Sequence, residues 1–177
     1  KILMAKGLLN SRPKVGTWVE SRDRWNLLDR DVLSWYASAP DAMGFLKTVQ
    51  EFRYIIEPEA AALAAERRTE QEMAEISLAL EGMGTAPTLS DRTRSDTRFH
   101  LAILKATHNE LLIPLGTLIE SALNNLFVYV TREANSLRYA QDLHAAIEEQ
   151  IRLKQPEGAR QAVRRLLADT DEMIRRN

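Results

Sequence analysis

The stretch RSDTRFHLAIL places an aspartate, Asp96, four residues before a histidine, His100. Side chains at this spacing lie on the same face of an α-helix. A second histidine, His144, stands among apolar residues in YAQDLHAAIEEQI. One carboxylate and two imidazoles on facing helices form a plausible ligand set for a divalent metal ion. The alternative is that Asp96 is exposed and each histidine is simply packed, because Asp and His are often found four residues apart in helices.

The composition limits the classes of protein to consider. The chain has 177 residues, enough for one domain or one domain plus a fragment. Its content of 45% hydrophobic and 28% charged residues is ordinary for a soluble protein. The formal net charge of -1 does not by itself favour nucleic acid. The absence of cysteine excludes disulfides and thiolate metal sites and favours the cytoplasm. No apolar run suggests a membrane span or a signal peptide, and the first residue is not Met, so we expect further residues upstream.

Apolar residues recur at helical spacing from residue 23 onward, which predicts the elements that must position these side chains. In the first helical segment the predicted apolar stripe consists of Trp25, Leu28, Val32 and Trp35. Further helices are expected over 43–68, 69–83, 89–109, 110–132, 136–154 and 157–177. With few glycines and short connections, the sequence predicts an all-α fold, an antiparallel bundle of six or seven helices.

Local signals refine the ends of these helices. Asp41, after a proline, is expected to cap the second segment, and Pro58 is expected to kink or break it. Thr69 and Glu72 have the spacing of a capping box at the start of the next helix. His108, at a helix end, is interpreted as local capping.

Two further sets of residues are candidates for binding. SRPKVG forms a short basic turn between two β-prone stretches, and Arg12, Lys14 and Gly16 at its tip could contact phosphates or form an ordinary solvated turn. Asn125 falls on an otherwise apolar stripe of the 110–132 segment. It could hydrogen-bond a ligand hydroxyl, or it could mark the polar edge of that stripe.

The order of several short motifs resembles the effector-binding FCD domain of GntR-family transcription regulators, the FadR subgroup. The motifs are FRYIIEPEAAALAA with Arg53 and Glu57, then DTRFH, THNELL, HAAI and ARQA, and they cover roughly residues 43–175. Upstream, MAKGLLNSRPKVGTWV resembles the end of a recognition helix and the wing of a winged helix. WNLLDRDVLSW resembles regulators of sugar-acid catabolism, the galactonate-operon type in particular. The resemblance implies a winged-helix remnant over 1–22, a linker helix over 23–42 and an FCD bundle over 43–177.

The resemblance also implies roles for the candidate residues. In many FCD domains one Asp and three His bind a divalent cation that helps to hold a small carboxylate effector, and Asp96, His100 and His144 match three of these positions. The fourth position is Leu166, which cannot ligate a metal, so either the site has three protein ligands or the metal has been lost in this branch. Zinc, nickel and manganese all remain candidates. Arg53 corresponds to an arginine that points into the pocket. It could bind the effector carboxylate or pair with Glu57.

Three classes of function follow. The first is a DNA-binding repressor of a sugar-acid operon, acting as a homodimer on operator DNA through the wing, without a membrane, and binding an aldonate or uronate. The second is a metal-dependent enzyme built on a helical bundle. Metal-assisted hydrolysis needs a general base beside the metal-bound water, and the sequence offers no dedicated carboxylate beyond Asp96 and Glu57, which favours the sensor. The third is a bundle that only dimerises.

Overall fold

The computed structural model describes residues 1–38, 42–126 and 134–176. It confirms the predicted all-α bundle, which follows a small N-terminal hairpin. The elements are α1 (Ile2–Ala5), β1 (Leu9–Arg12), β2 (Gly16–Val19), α2 (Arg30–Ala37), α3 (Ala42–Arg67), α4 (Glu70–Gly84), α5 (Leu89–Ala106), α6 (Gly116–Leu126), α7 (Ala134–Arg152) and α8 (Pro156–Arg176). Within the described ranges, no helix is long and apolar enough to span a membrane.

Helix α3 is the central element of the bundle because its small side chains let neighbouring helices approach closely. Five alanines in its second half are buried, and α3 contacts α5, α6, α7 and α8. The main core lies between α3, α4, α5, α7 and α8, with Phe99, Ile147 and Leu167 fully buried at its centre. A second core joins α3, α5, α6 and α8 around Leu104 and Ile119. Side chains on α3, α5, α7 and α8 are thereby brought around a common interior.

The predicted helix ends are partly confirmed. Thr69 and Glu72 form the expected capping box at the start of α4. Helix α3 runs through Pro58 without the break that the sequence suggests. The chain from Glu110 to Leu115 forms turns, so α6 starts at Gly116 and not at residue 110. The predicted cap Asp41 and the predicted helical residues after Leu126 lie outside the described part of the chain.

The prediction for the first helical segment is wrong in extent and in its buried face. Residues 22–24 form one turn of 3₁₀-helix, and α2 begins only at Arg30, after the N-cap Asp29. Helix α2 buries Val32 and its neighbour Leu33, whereas Leu28 and Trp35 are about half exposed. The helix docks through Leu33 and Ala37 against Phe45 and Val49 of α3 and Ala122 of α6. An ion pair of 3.0 Å between Arg30 and Glu120 adds to the contact with α6.

The N-terminal segment forms the predicted hairpin, with β1 and β2 antiparallel. Gly7 links α1 to β1 at φ +76, and a Cβ there would lie 2.3 Å from the carbonyl oxygen of Arg24, so only glycine fits this joint. Lys6 Nζ lies 2.6 Å from Asp29 Oδ1 and 2.9 Å from Asp31 Oδ2. Because Asp29 caps α2, these ion pairs connect the hairpin segment to the helix that packs on the bundle.

Candidate metal and effector site

A cavity of about 580 Å³ opens between α3, α5, α6, α7 and α8. Its wall combines titratable groups with apolar side chains, as is typical of small-ligand sites. The charged and imidazole side chains on the wall are Arg53, Arg92, Asp96, His100, His144, Asp169 and Glu172. The apolar part of the wall includes Leu123 and Leu126 of α6 and Leu166 of α8.

The structure brings Asp96, His100 and His144 together, as the sequence predicts. His100 Nε2 lies 3.2 Å from Asp96 Oδ1, and His144 Nε2 lies 3.1 Å from the same oxygen. The candidate ligand atoms of all three residues lie within 4.8 Å of one another. Asp96 and His100 come from α5, one turn apart, and His144 comes from α7. Phe99 packs edge-on against both imidazoles, which fixes the planes of the two rings.

Hydrogen bonds on the far side of each ring determine which nitrogen faces Asp96. The Nδ1–H of His144 donates to the carbonyl oxygen of Ala140 at 2.7 Å, and the Nδ1–H of His100 donates to Glu57 Oε2 at 2.8 Å. In the neutral imidazole the remaining nitrogen, Nε2, has no proton and can only accept. Both Nε2 atoms therefore present lone pairs towards a carboxylate, which is also an acceptor.

This arrangement of acceptors requires a positive charge between them. His100 Nε2 is buried and, although close to Asp96, has no partner in hydrogen-bonding geometry. The charge can be a proton on the imidazole or a cation bound by Asp96, His100 and His144. A histidine whose second nitrogen donates to a carboxylate or carbonyl, with the first directed at a metal, is the usual arrangement in metal sites. The donor set and its supporting hydrogen bonds therefore fit a divalent metal ion.

Glu57 and Arg53 form a buried ion pair behind His100. Arg53 is 1% exposed. Its Nε donates to Glu57 Oε1 at 2.6 Å, and a weaker contact of 3.4 Å joins its Nη1 to Gln50. The sequence leaves open whether Arg53 pairs with Glu57 or binds a ligand, and in this structure the guanidinium is paired with Glu57 while also lining the cavity.

Burial and charge act in opposite directions on these groups. Burial would raise the pKa of the Glu57 carboxyl, but Arg53 and His100 lower it to about 2. Burial would also raise the pKa of Asp96, yet the two histidines hold it well below its usual range. Burial would lower the pKa of His100, whereas Glu57 and Asp96 raise it to about 9. With no metal bound, a protonated His100 between the carboxylates of Glu57 and Asp96 is therefore the favoured form.

Asn125 and His108 lie away from this cavity. Asn125 lines a separate pocket of about 250 Å³ between α2 and α6, and its side chain donates to the carbonyl oxygen of Ser121 at 2.6 Å. In this structure Asn125 therefore lies on the face of α6 towards α2, away from Arg53, and its contact with an effector hydroxyl stays a prediction. His108 follows Thr107, the C-cap of α5, and its Nε2 lies 2.9 Å from Glu72 Oε2 in the capping box of α4.

The candidate wing residues lie on the hairpin, apart from the cavity. The structure places Arg12 at the end of β1, Gly16 at the start of β2 and Lys14 in the exposed turn between them. The Arg12 guanidinium stacks over the ring of Trp18 at 5.8 Å. Lys14 has φ +65, so the turn is tight, and its side chain is exposed to solvent.

Arg92 is among the cavity residues that the sequence candidates do not include. It stands four residues before Asp96 and eight before His100, so all three lie on one face of α5. The sequence shows this spacing, and continuing the pattern of Asp96 and His100 by one turn towards the N-terminus identifies Arg92. Burial lowers the pKa of its guanidinium, although the nearby Asp96 carboxylate acts in the other direction.

Comparison with known proteins identifies the family. Residues 48–169 match the FCD domain, more than half of the chain. The chain belongs to the FCD family. This FCD chain is also 32% identical over 178 residues to the galactonate operon transcriptional repressor of Escherichia coli K12, an alignment that covers 98% of this chain and 76% of the repressor. It is 27% identical over 175 residues to the HTH-type transcriptional regulator YieP of the same organism, covering 97% and 75% of the two chains.

Solved structures show the same fold. A GntR protein of Streptococcus agalactiae matches 98% of this FCD chain with a TM-score of 0.65 and 22% identity, over 77% of its own chain. The relatives and structural neighbours are GntR-type transcription regulators and not enzymes, so the alternative of a metal-dependent enzyme is set aside. The protein is a transcription regulator of the GntR type, FadR subgroup.

Proposed function

We propose that this regulator is a repressor of a sugar-acid catabolic operon and that its bundle senses a small carboxylate effector in the cavity described above. The observation that carries the proposal is the convergence of Asp96, His100 and His144 at the wall of a cavity of about 580 Å³. The similarity to the galactonate operon repressor supports a sugar acid as the effector class.

A divalent ion, zinc, nickel or manganese, would be held by Asp96, His100 and His144. Leu166 lines the cavity at the position of the fourth family ligand and supplies no donor atom. A set of three protein ligands leaves coordination positions for water or for oxygen atoms of the effector. When bound, the metal would supply a Lewis acid that attracts carboxylate and hydroxyl oxygens.

The polar wall favours a hydroxylated acid over an apolar one. A sugar acid offers hydroxyls to the histidines and to Thr93, Tyr139 and Thr170, which also line the cavity. An apolar acid would cover the two buried histidines without offering them a hydrogen bond, at a cost of roughly 1–3 kcal/mol for each group left unpaired. The carboxylate would bind a guanidinium on the wall, where Arg53 and Arg92 are the two available. Arg53 would have to exchange Glu57 for the ligand.

DNA binding would use the hairpin, with Arg12, Lys14 and the backbone at Gly16 contacting phosphates of the operator. The three lie at the end of an exposed hairpin, where basic groups can reach a duplex. A two-fold operator is normally read by two copies of a winged helix, so we propose a homodimer. Sedimentation that finds only monomers at micromolar concentration would contradict the dimer.

A melting screen tests the effector class. Aldonates and uronates should raise the melting temperature of the protein, since a ligand that binds only the folded state stabilises it by mass action. Long-chain fatty acids and neutral sugars are the controls and should not. If a neutral sugar or an acyl compound stabilises the protein while no sugar acid does, the proposed effector class is wrong.

A further inference from the structure

In the described part of the chain, the hydrogen bonds of Arg92 at the cavity wall all go to neutral oxygen atoms. Its Nη1 donates to the carbonyl oxygen of Met83 at 2.9 Å and to Gln141 Oε1 at 3.1 Å, and its Nη2 donates to the carbonyl oxygen of Leu137 at 3.2 Å. These three bonds hold the guanidinium between the end of α4 and the first turns of α7. Five N–H groups are present on a guanidinium, so the three bonds leave donors for another partner.

Among the described residues, no carboxylate is in ion-pair contact with the guanidinium of Arg92. Across residues 1–38, 42–126 and 134–176, no carboxylate forms an ion pair with Arg92 within 4.0 Å. Asp96 is close enough to influence it, but the Oδ1 atom of Asp96 faces the two histidines. Partly buried charges are usually paired, which makes an unpaired guanidinium on a cavity wall an anion-binding candidate.

Arg53 differs from Arg92 in this respect. Its guanidinium is fully buried and already neutralised by Glu57, and the same carboxylate accepts the hydrogen bond from His100. Moving Arg53 onto a ligand would remove a counter-charge from Glu57. An anion that binds Arg92 displaces no ion pair within the part of the chain that the structure describes. Of the two guanidiniums on the wall, Arg92 is therefore the one that gains most from a carboxylate.

We infer that Arg92 binds the carboxylate of the effector and that the hydroxylated chain of the same molecule extends from there towards Asp96 and His100. This inference rests on the proposed function, which supplies the sugar acid. The three residues follow one another along one face of α5, and each step of four residues advances about 6 Å along the helix axis. A sugar acid lying along α5 can place its carboxylate at Arg92 and its hydroxyls at the histidines. Arg53 then serves as the partner that orients Glu57.

The test compares a charged and a neutral ligand of the same shape. Galactonate and galactonamide differ at the carboxylate, and their affinities are measured by calorimetry for the parent protein, Arg92→Gln and Arg92→Lys. Arg98→Gln is the matched control, because Arg98 is an exposed arginine on the same helix. Melting temperatures of all variants are recorded, since Arg92 also bonds to the backbone of α4 and α7. A loss of structure would weaken both ligands alike and leave their affinity ratio unchanged.

The expected result is a change in that ratio. Arg92→Gln should weaken galactonate about 10- to 100-fold, the usual range for charge-assisted hydrogen bonds, and leave galactonamide nearly unchanged. Arg92→Lys should restore part of the preference for the acid, and Arg98→Gln should match the parent. If Arg92→Gln leaves the ratio of the two affinities as it is in the parent, the carboxylate does not bind at Arg92. If neither galactonate nor any other sugar acid binds the parent, the proposed function fails and this inference fails with it.

Discussion

His100 donates a hydrogen bond of 2.8 Å from Nδ1 to Oε2 of Glu57, and both side chains are almost fully buried. This bond orients the imidazole so that Nε2 faces Asp96 and the cavity. It also joins the Arg53–Glu57 ion pair to the three candidate metal ligands. The buried row Arg53, Glu57, His100, Asp96 and His144 therefore behaves as one unit, and changes at one end should be measurable at the other.

Metal content is the first expected property of that unit. The purified protein should carry up to one equivalent of divalent cation, removable with a chelator, and His100→Ala should abolish it, because the two remaining ligands bind weakly. His108→Ala is the control, since His108 is exposed and bonded to Glu72, away from the cavity. Elemental analysis by mass spectrometry gives the answer. A folded parent protein that binds no cation when metal is supplied would overturn the metal site.

Glu57 should tune metal affinity without touching the metal. Glu57→Gln removes the carboxylate that fixes His100, and replacement of such a supporting group typically costs about 10- to 100-fold in metal affinity. Competition with a chromophoric chelator measures this loss. Glu72→Gln provides the matched control, because it removes the carboxylate partner of His108, the histidine outside the site. Equal affinities for Glu57→Gln and the parent would show that the hydrogen bond to His100 is irrelevant to the metal.

Metal uptake should release protons at neutral pH. The pKa of His100 is raised to about 9 by Glu57 and Asp96, so without metal this imidazole is protonated at pH 7. A metal ion can bind Nε2 only after that proton leaves. Apparent metal affinity should therefore rise with pH and level off above about 9, and calorimetry in buffers of different ionisation enthalpy should detect the released proton. A pH-independent affinity between 6 and 9 would contradict this protonation state.

Arg53 should contribute to the free energy of unfolding even without an effector. Arg53→Ala leaves Glu57 buried with only His100 as a partner, and breaking a buried ion pair from one side costs about 3–5 kcal/mol. Urea unfolding measures the change. Arg160→Ala, which removes exposed ion pairs to Glu59 and Glu157, should cost far less. Equal losses in the two variants would mean that the Arg53–Glu57 pair contributes little to stability.

The sequence predicts most of the helices and the convergence of Asp96, His100 and His144, because helical spacing determines which side chains share a face. Asp96 and His100 needed only that spacing, and His144 needed the expectation of facing helices. The failures are at places where tertiary contacts outweigh local pattern. Leu28 and Trp35 match a helical stripe, but α2 buries Val32 and Leu33 because α3 and α6 offer an apolar surface to that face.

The positions of Asn125 and Arg92 depend on tertiary contacts in a related way. The sequence leaves open whether Asn125 contacts a ligand or marks the polar edge of its stripe, because α6 has two covered faces, one towards α2 and one towards the cavity. Periodicity predicts that a residue is covered, but it does not identify the element that covers it. Arg92 lies in a polar stretch of α5 where a charged residue seems ordinary. Its spacing from Asp96 is visible in the sequence, but only the folded arrangement shows that, among the described residues, no carboxylate forms an ion pair with it.

The separation of the candidate ligands along the chain has a topological consequence. Asp96 and His144 are 48 residues apart, and the segment between them contains α6, the helix on which α2 docks. A metal ion held at both ends closes this segment into a loop, like a removable cross-link, and a closed loop has less conformational entropy to gain on unfolding. Loading the site should therefore slow amide exchange throughout α6 as well as at the ligands, and a chelator should open the loop again.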